Sequence, residues 1–412
     1  MKIQHPTKEN VPGVDRRLFL QGLGACSVAV GGLVLGVPPL HADEEEEGEE
    51  KKKKPVRRPR PVVETNIDDF MKIPRAACAI PGPFPGRVVK VTDPASLDKK
   101  RFDAAVVRAM IEKGITGLTG KSMKESFGLL FTPEDVVGLK VNPVGAPLIN
   151  TRLEVTESVI RWLVDSGLPK KNIVIWDRFD ESLKEAGYTA ANFPGIRIEA
   201  LQGFKRDEDG HHLSAGRFDK EAFYYAKGVF GATGKEKDKK QDDLYRMQHV
   251  FDDEYSYFGK LISKELTKIV NIPAFKNTGN GVSMATKNLA YGALCNVGRL
   301  HRPLFFRVCT EVLAAPWIRD KLVLNILDGL RAQYDGGPGM NAQFVYANHS
   351  LYFATDPFAL DMVGHRELLA KRKEMEVKVS ESPRYTDYLH AGEKLGLGIA
   401  DPGKIKVVEV PA

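Results

Sequence analysis

The chain has 412 residues, 42% of them hydrophobic, and 60 Lys+Arg stand against 54 Asp+Glu for a formal net charge of +6. That length can bury a sizeable core, as about two to three domains or as one large α/β domain, and so close a charge balance leaves no polybasic footprint for nucleic acid. Four cysteines without a CxxC pair exclude a cysteine-ligated iron–sulfur cluster, a cysteine-only zinc site and a dense disulfide framework.

In chain order, the first element is "DRRLFLQGLGACSVAVGGLVLGVPPLHA", with Arg16 and Arg17 ahead of Phe19 and Leu20 and a Gly-rich apolar stretch ending near Ala42. It resembles the twin-arginine export signal of bacteria, S/T-R-R-x-F-L-K, with Asp15 in place of Ser/Thr and Gln21 in place of Lys. The run from Leu18 to Val37 could nearly span a bilayer. Its glycines and the Pro38-Pro39 break favour a signal segment over 1–42, so no stable membrane anchor is expected after cleavage. The resemblance implies folding before transport, the twin-arginine export machinery as a partner, and a periplasmic or extracytoplasmic location.

"DEEEEGEEKKKKPVRRPRP" (43–61) has almost nothing apolar to bury, so 43–65 reads as a disordered charged linker. A single α/β domain is expected over 66–412. "VVGLKVN" (136–142) is its first clear strand, followed by a helix over 151–167 with Thr151 and Glu154 in capping-box spacing. Further strands are expected at 172–177, 196–201, 267–272, 322–328, 351–355 and 406–410. Helical patterns cover 181–187 and about 285–296, 304–315, 358–371 and 384–395. The alternation predicts a mostly parallel, doubly wound sheet with helices on both faces. Residues 203–262 are polar and break the pattern; they read as an insertion or cap with a mobile tip at 234–243.

In open α/β sheets ligands bind beyond the carboxyl ends of the strands. Lys140 and Asn142 end one expected strand, Asp177 another, Lys276 follows "VNIP", Asp328 ends "LNILD", and Asp356 follows "LYFAT". Each alone could be an ordinary turn cap; together they mark a rim with Asp177, Asp328 and Asp356 as candidate catalytic groups. Gly279 and Gly281 precede a helix start that carries Thr286, Lys287 and Asn288. Free backbone N–H groups, a helix N-terminus and lysines make a candidate anion site there. The G-x-x-x-x-G-K-[ST] phosphate loop is absent. His301 or His349 could join Asp328 or Asp356 around a divalent metal, although a histidine packed at a helix end is the plainer reading.

"LKVNP" (139–143), "NIPAFKNTGNGVSMATKNLAYG" (271–292), "RLH" (299–301), "ILDGLRAQYDGGPG" (326–339) and "ATDPFALDMVG" (354–364) together resemble Domain of Unknown Function family 362 over roughly 134–370. The resemblance points to Lys140, Asn142, Lys276, Lys287, Asn288, Asp328, Asp356 and Asp361. The family's K-T-H is K-N-T here (Lys276, Asn277, Thr278), and the ferredoxin-like cysteine motifs of many relatives are missing. The expected activity is that of an exported enzyme acting on an anionic, phosphate- or carboxylate-bearing small molecule. A redox or cofactor-carrying accessory protein and a non-catalytic periplasmic binding protein are the alternatives.

Overall fold

Two aliphatic runs of the sequence, "VGLKV" and "IVIWDRF", form strands buried along their whole length, which places them inside a sheet covered on both faces. The computed structural model describes residues 62–99, 101–230, 248–251, 253–301, 304–379, 382 and 385–411. The signal segment, nearly all of the linker and the insertion tip lie outside these residues. No helix among the described residues is long and apolar enough to cross a membrane.

In chain order the elements used below are β1 (Arg87–Thr92), α1 (Ala104–Thr119), β2 (Val137–Val141), α2 (Leu153–Asp165), β3 (Ile173–Phe179) and β4 (Arg197–Gln202). Then come β5 (Lys268–Ile272), β6 (Ala274–Thr278), β7 (Gly281–Val282), α3 (Ala285–Ala290) and α4 (Arg307–Ala314). The last are β8 (Leu322–Gln333), β9 (Val345–Ala354), α5 (Pro357–Glu374), α6 (Asp387–Lys394) and β10 (Lys406–Pro411). The ten strands form one mostly parallel sheet in the order β10-β1-β9-β8-β5-β2-β3-β4, with β6 beside β8 and β7 beside β6.

The pleat sends alternate residues to opposite faces. Ile173 and Ile175 pack with α1 and α2, through Met110, Ile111, Val155 and Val159. Val174 and Trp176 pack on the other face with Leu289 of α3, Val308 of α4 and Leu389 of α6. The fold is the α/β sheet with helices on both faces that the sequence predicts.

Several local expectations change. The capping box sits at Ser122 and Glu125, ahead of a helix over Met123–Leu130, rather than at Thr151 and Glu154. Thr151 Oγ1 instead accepts from Asn142 N and donates to Ile272 O, tying the start of α2 to two strands. Part of the insertion joins the domain core, and its Gln248 lines the cleft described below. Its Phe218–Tyr225 and Tyr255–Gly259 segments pair antiparallel, and Tyr224 and Phe258 are fully buried in the core with α4.

The direction of β9 matters most. It runs antiparallel to both β8 and β1, so its carboxyl end lies at the edge opposite the ends of β2, β3 and β5. Asp356 is therefore not on the expected rim. It caps α5, accepting from Phe358 N and Ala359 N, and its other oxygen accepts from Gly86 N and Ile399 N.

Candidate functional site

β2 and β5 end side by side, β6 runs on from the end of β5, and α3 packs against β2 and β5. Register places Lys140 between Asn271 and Trp176, on the face that α3 covers. Lys140 Nζ donates to Asp177 Oδ1 at 2.5 Å, to Asn288 Oδ1 at 2.9 Å and to Val141 O at 2.7 Å. Asn142 Nδ2 donates to the same Asn288 oxygen at 3.1 Å. Lys276 Nζ is surrounded by Asn142 Oδ1 at 2.9 Å, Val144 O at 2.5 Å and Ile149 O at 3.3 Å. Lys287 Nζ donates to Thr278 Oγ1 at 3.2 Å and lies 5.0 Å from the centre of the Phe305 ring.

These groups line a cleft with a cavity of about 110 Å³, room for several waters or a compact ligand. Lys140, Lys276, Lys287 and Arg178 supply its positive charge, and Asp177 is its one carboxylate among the described residues. Burial holds Lys276 well below the ordinary lysine range, and the charge of Lys287 acts in the same direction. Burial also lowers Lys140, with Asp177 opposing the shift. His301 lines the cleft as well, where burial, then Lys287 and Arg178, push it down to about 3; it is neutral at physiological pH.

The structure thus brings Lys140, Asn142, Asp177, Lys276, Lys287 and Asn288 together and leaves the other candidates out. Asp328 reaches the same edge but turns to the α2 side, where its carboxylate accepts from Arg152 N at 2.6 Å and Leu330 N at 3.2 Å. Burial pushes it up to about 6. Gly279 and Gly281 form the β6–β7 hairpin, with Thr278 opposite Gly281. Gly279 has φ +53°, and a Cβ on Gly281 would lie 2.4 Å from the Phe306 ring. Their freedom serves the turn and close packing.

The start of α3 is not open to a ligand. Ala285 N donates to Asp361 Oδ1 at 2.7 Å, and Thr286 donates to Asp361 Oδ2 through N at 3.0 Å and Oγ1 at 2.5 Å. An internal carboxylate already occupies the position expected for an anion. "DGGPG" (335–339) packs on the hairpin, where Gly337 N donates to Asn277 Oδ1 at 2.9 Å, and its Pro338 lines the cleft.

Sequence reasoning missed Arg178 and Gly292. A Cβ at Gly292 would lie 2.3 Å from Lys140 Cε and 2.3 Å from Asn288 O, so only glycine lets the lysine lie under the end of α3. α3 stops at Ala290 rather than near 296. The glycine closes the quoted "KNLAYG", so its spacing from Lys287 was the available signal. Among the described residues, no group of three or more His, Cys, Asp or Glu side chains could hold a metal ion. His301 lies in the cleft, away from Asp328 and Asp356, and His349 sits in β9 at φ +53°.

Residues 242–366 match the family described as Domain of unknown function (DUF362). The DUF362 match runs from the insertion into α5 and includes Lys276, Lys287, Asn288 and Asp361; Lys140, Asn142 and Asp177 precede it. No curated protein matches the chain. Among solved structures, a crystal structure of a protein from Thermotoga maritima is similar at 10% identity and a TM-score of 0.32. The likeness covers 69% of this chain and 61% of that one.

Proposed function

We propose that the cleft binds a small anionic molecule, carrying phosphate or carboxylate, at the carboxyl ends of β2 and β3 and beside Lys276 of β6. The observation that carries this reading is Lys276. It is fully buried, its three hydrogen-bond partners are all neutral acceptors, and Lys287 and Lys140 add like charge, which the Asp177 carboxylate, bonded to Lys140, opposes. A buried cation with no carboxylate bonded to it is costly, and an anion in the cleft supplies that partner. Asp177, held against Lys140, is the carboxylate positioned to act as a base or proton carrier on such a ligand; Asp328 and Asp356 lie outside the cleft.

Sulfate is the probe for the test, because its charge stays constant over the pH range used. The folded Lys276 value lies below its ordinary one, so the empty cleft loses its proton as pH rises through that lowered value. A bound anion raises the value again. Sulfate affinity should therefore fall with rising pH, by up to about tenfold per unit, and binding should take up a proton. Calorimetry in buffers of different ionisation enthalpy reads the uptake directly. Affinity that is flat from neutral to alkaline pH, with no proton taken up, would remove Lys276 from the site. Native mass spectrometry of the purified protein would identify a co-purified ligand.

We also propose export by the twin-arginine route, on the strength of Arg16-Arg17. Arg16→Lys with Arg17→Lys should trap the precursor in the cytoplasm; normal periplasmic levels of that variant would refute the signal.

A further inference from the structure

Four buried asparagines form one directed chain from the cleft wall into the sheet. Lys276 Nζ donates to Asn142 Oδ1, and Asn142 Nδ2 donates to Asn288 Oδ1. Asn288 Nδ2 donates to Asn271 Oδ1 at 2.8 Å, and Asn271 Nδ2 donates to Asn325 Oδ1 at 2.9 Å. Register pairs Asn271 directly with Asn325. Both are fully buried, and neither lines the cleft.

An asparagine amide can lie either way round, and only its partners decide which end is oxygen. Here backbone carbonyls decide, because a carbonyl only accepts. Asn271 Nδ2 also donates to Ala285 O at 3.0 Å, and Asn325 Nδ2 faces Ala354 O at 3.4 Å and Thr355 O at 3.5 Å. With nitrogen fixed on those carbonyls, Asn271 must present oxygen to Asn288. Asn288 then presents oxygen to Lys140 and Asn142, and Asn142 presents oxygen to Lys276. Reversing the chain would point –NH₂ at two lysine side chains.

We propose that Asn271 is a positioning residue of the cleft: it sets which way round the Asn288 and Asn142 amides lie, so that Lys140 and Lys276 both face oxygen. This deepens the anion-site reading but does not need it, since the lysines can be followed without any ligand. The charged and titratable groups around Lys140 are Asp177 and Arg178 on β3, Lys276 on β6, Lys287 on α3, and Tyr291 and His301 beyond α3. All are left unchanged in the test.

The test uses cyanate, which carbamylates neutral amines, with the rate at Lys140, Lys276 and Lys287 followed by mass spectrometry against pH in the full chain. The midpoint of each profile reports the amine's proton affinity, while the plateau reports access. Asn271→Leu removes the anchor. The Lys140 midpoint should then fall by about one pH unit, equivalent to about tenfold more neutral amine at a fixed pH, with Lys276 moving the same way. Asn271→Asp keeps an acceptor on Asn288 Nδ2, so its Lys140 midpoint should stay at the wild-type value or rise. A folded Asn271→Leu protein with unmoved midpoints at Lys140 and Lys276 overturns the proposal. So does a fall in Asn271→Asp, which decides the matter should the leucine variant not fold. Failure of sulfate to bind would count against the anion site alone.

Discussion

Lys276→Met should weaken sulfate binding about ten- to a hundredfold, the effect of losing a charge-assisted hydrogen bond of roughly 1.5–3 kcal/mol. The lysine is fully buried in the cleft wall, so an anion that reaches it meets an ammonium shielded from water, where the interaction is stronger than at a surface. Methionine keeps most of the volume and removes the charge. It also leaves Asn142 Oδ1, Val144 O and Ile149 O without their donor, so the variant's urea midpoint should be measured beside its affinity. Lys171→Met is the control, because Lys171 is exposed in the turn before β3, at the amino ends of the strands. That change should leave binding and stability almost untouched. Equal, negligible losses at Lys276 and Lys171 would mean that the buried lysine is only a core donor.

Asp361→Ala should destabilise the protein by about 3–5 kcal/mol, read from urea unfolding. The side chain is fully buried, and its removal strands the Ala285 and Thr286 amides and the Thr286 hydroxyl in the core. α3 carries Lys287 and Asn288 into the cleft, so anion binding should fail together with stability. Burial pushes Asp361 up to about 6, although its three donors pull the other way. A carboxyl whose folded value lies above the unfolded one, near ~3.9, holds its proton more tightly when folded. Its contribution is full below the unfolded value and is lost as pH rises through about 6. Asp328 and Asp356, also raised to about 6, act in the same direction. Stability should therefore decline between about pH 4 and 6, and Asp361→Asn should flatten that slope. An Asp361→Ala protein as stable as wild type would show that water replaces the carboxylate at no cost.

Lys140, Asn142, Asp177 and Lys276 were legible as site candidates because each sits where an apolar run ends, and strand ends of a parallel sheet gather at one edge. Asn271 and Asn325 were not, because each lies within an apolar run and reads as an isolated polar residue there. Their meaning depends on a register that pairs them directly. Gly292 was legible only as the glycine that closes "KNLAYG"; its contact with Lys140, far away in the chain, was hidden for a similar reason.

The sequence by itself determined the α/β class, the two-faced burial of β2 and β3, and the edge reached by every strand that runs parallel to them. Apolar runs, caps and turn residues are local, and they suffice for that much. Only the tertiary structure decided direction and face. β9 runs antiparallel, which carries Asp356 to the far edge. Asp328 reaches the right edge but turns toward α2. The apparent anion cradle at α3 is filled from within by Asp361. A strand's end fixes where along the sheet a side chain lies. Its pairing direction and pleat fix which edge and face that is, and both depend on neighbours distant in the chain.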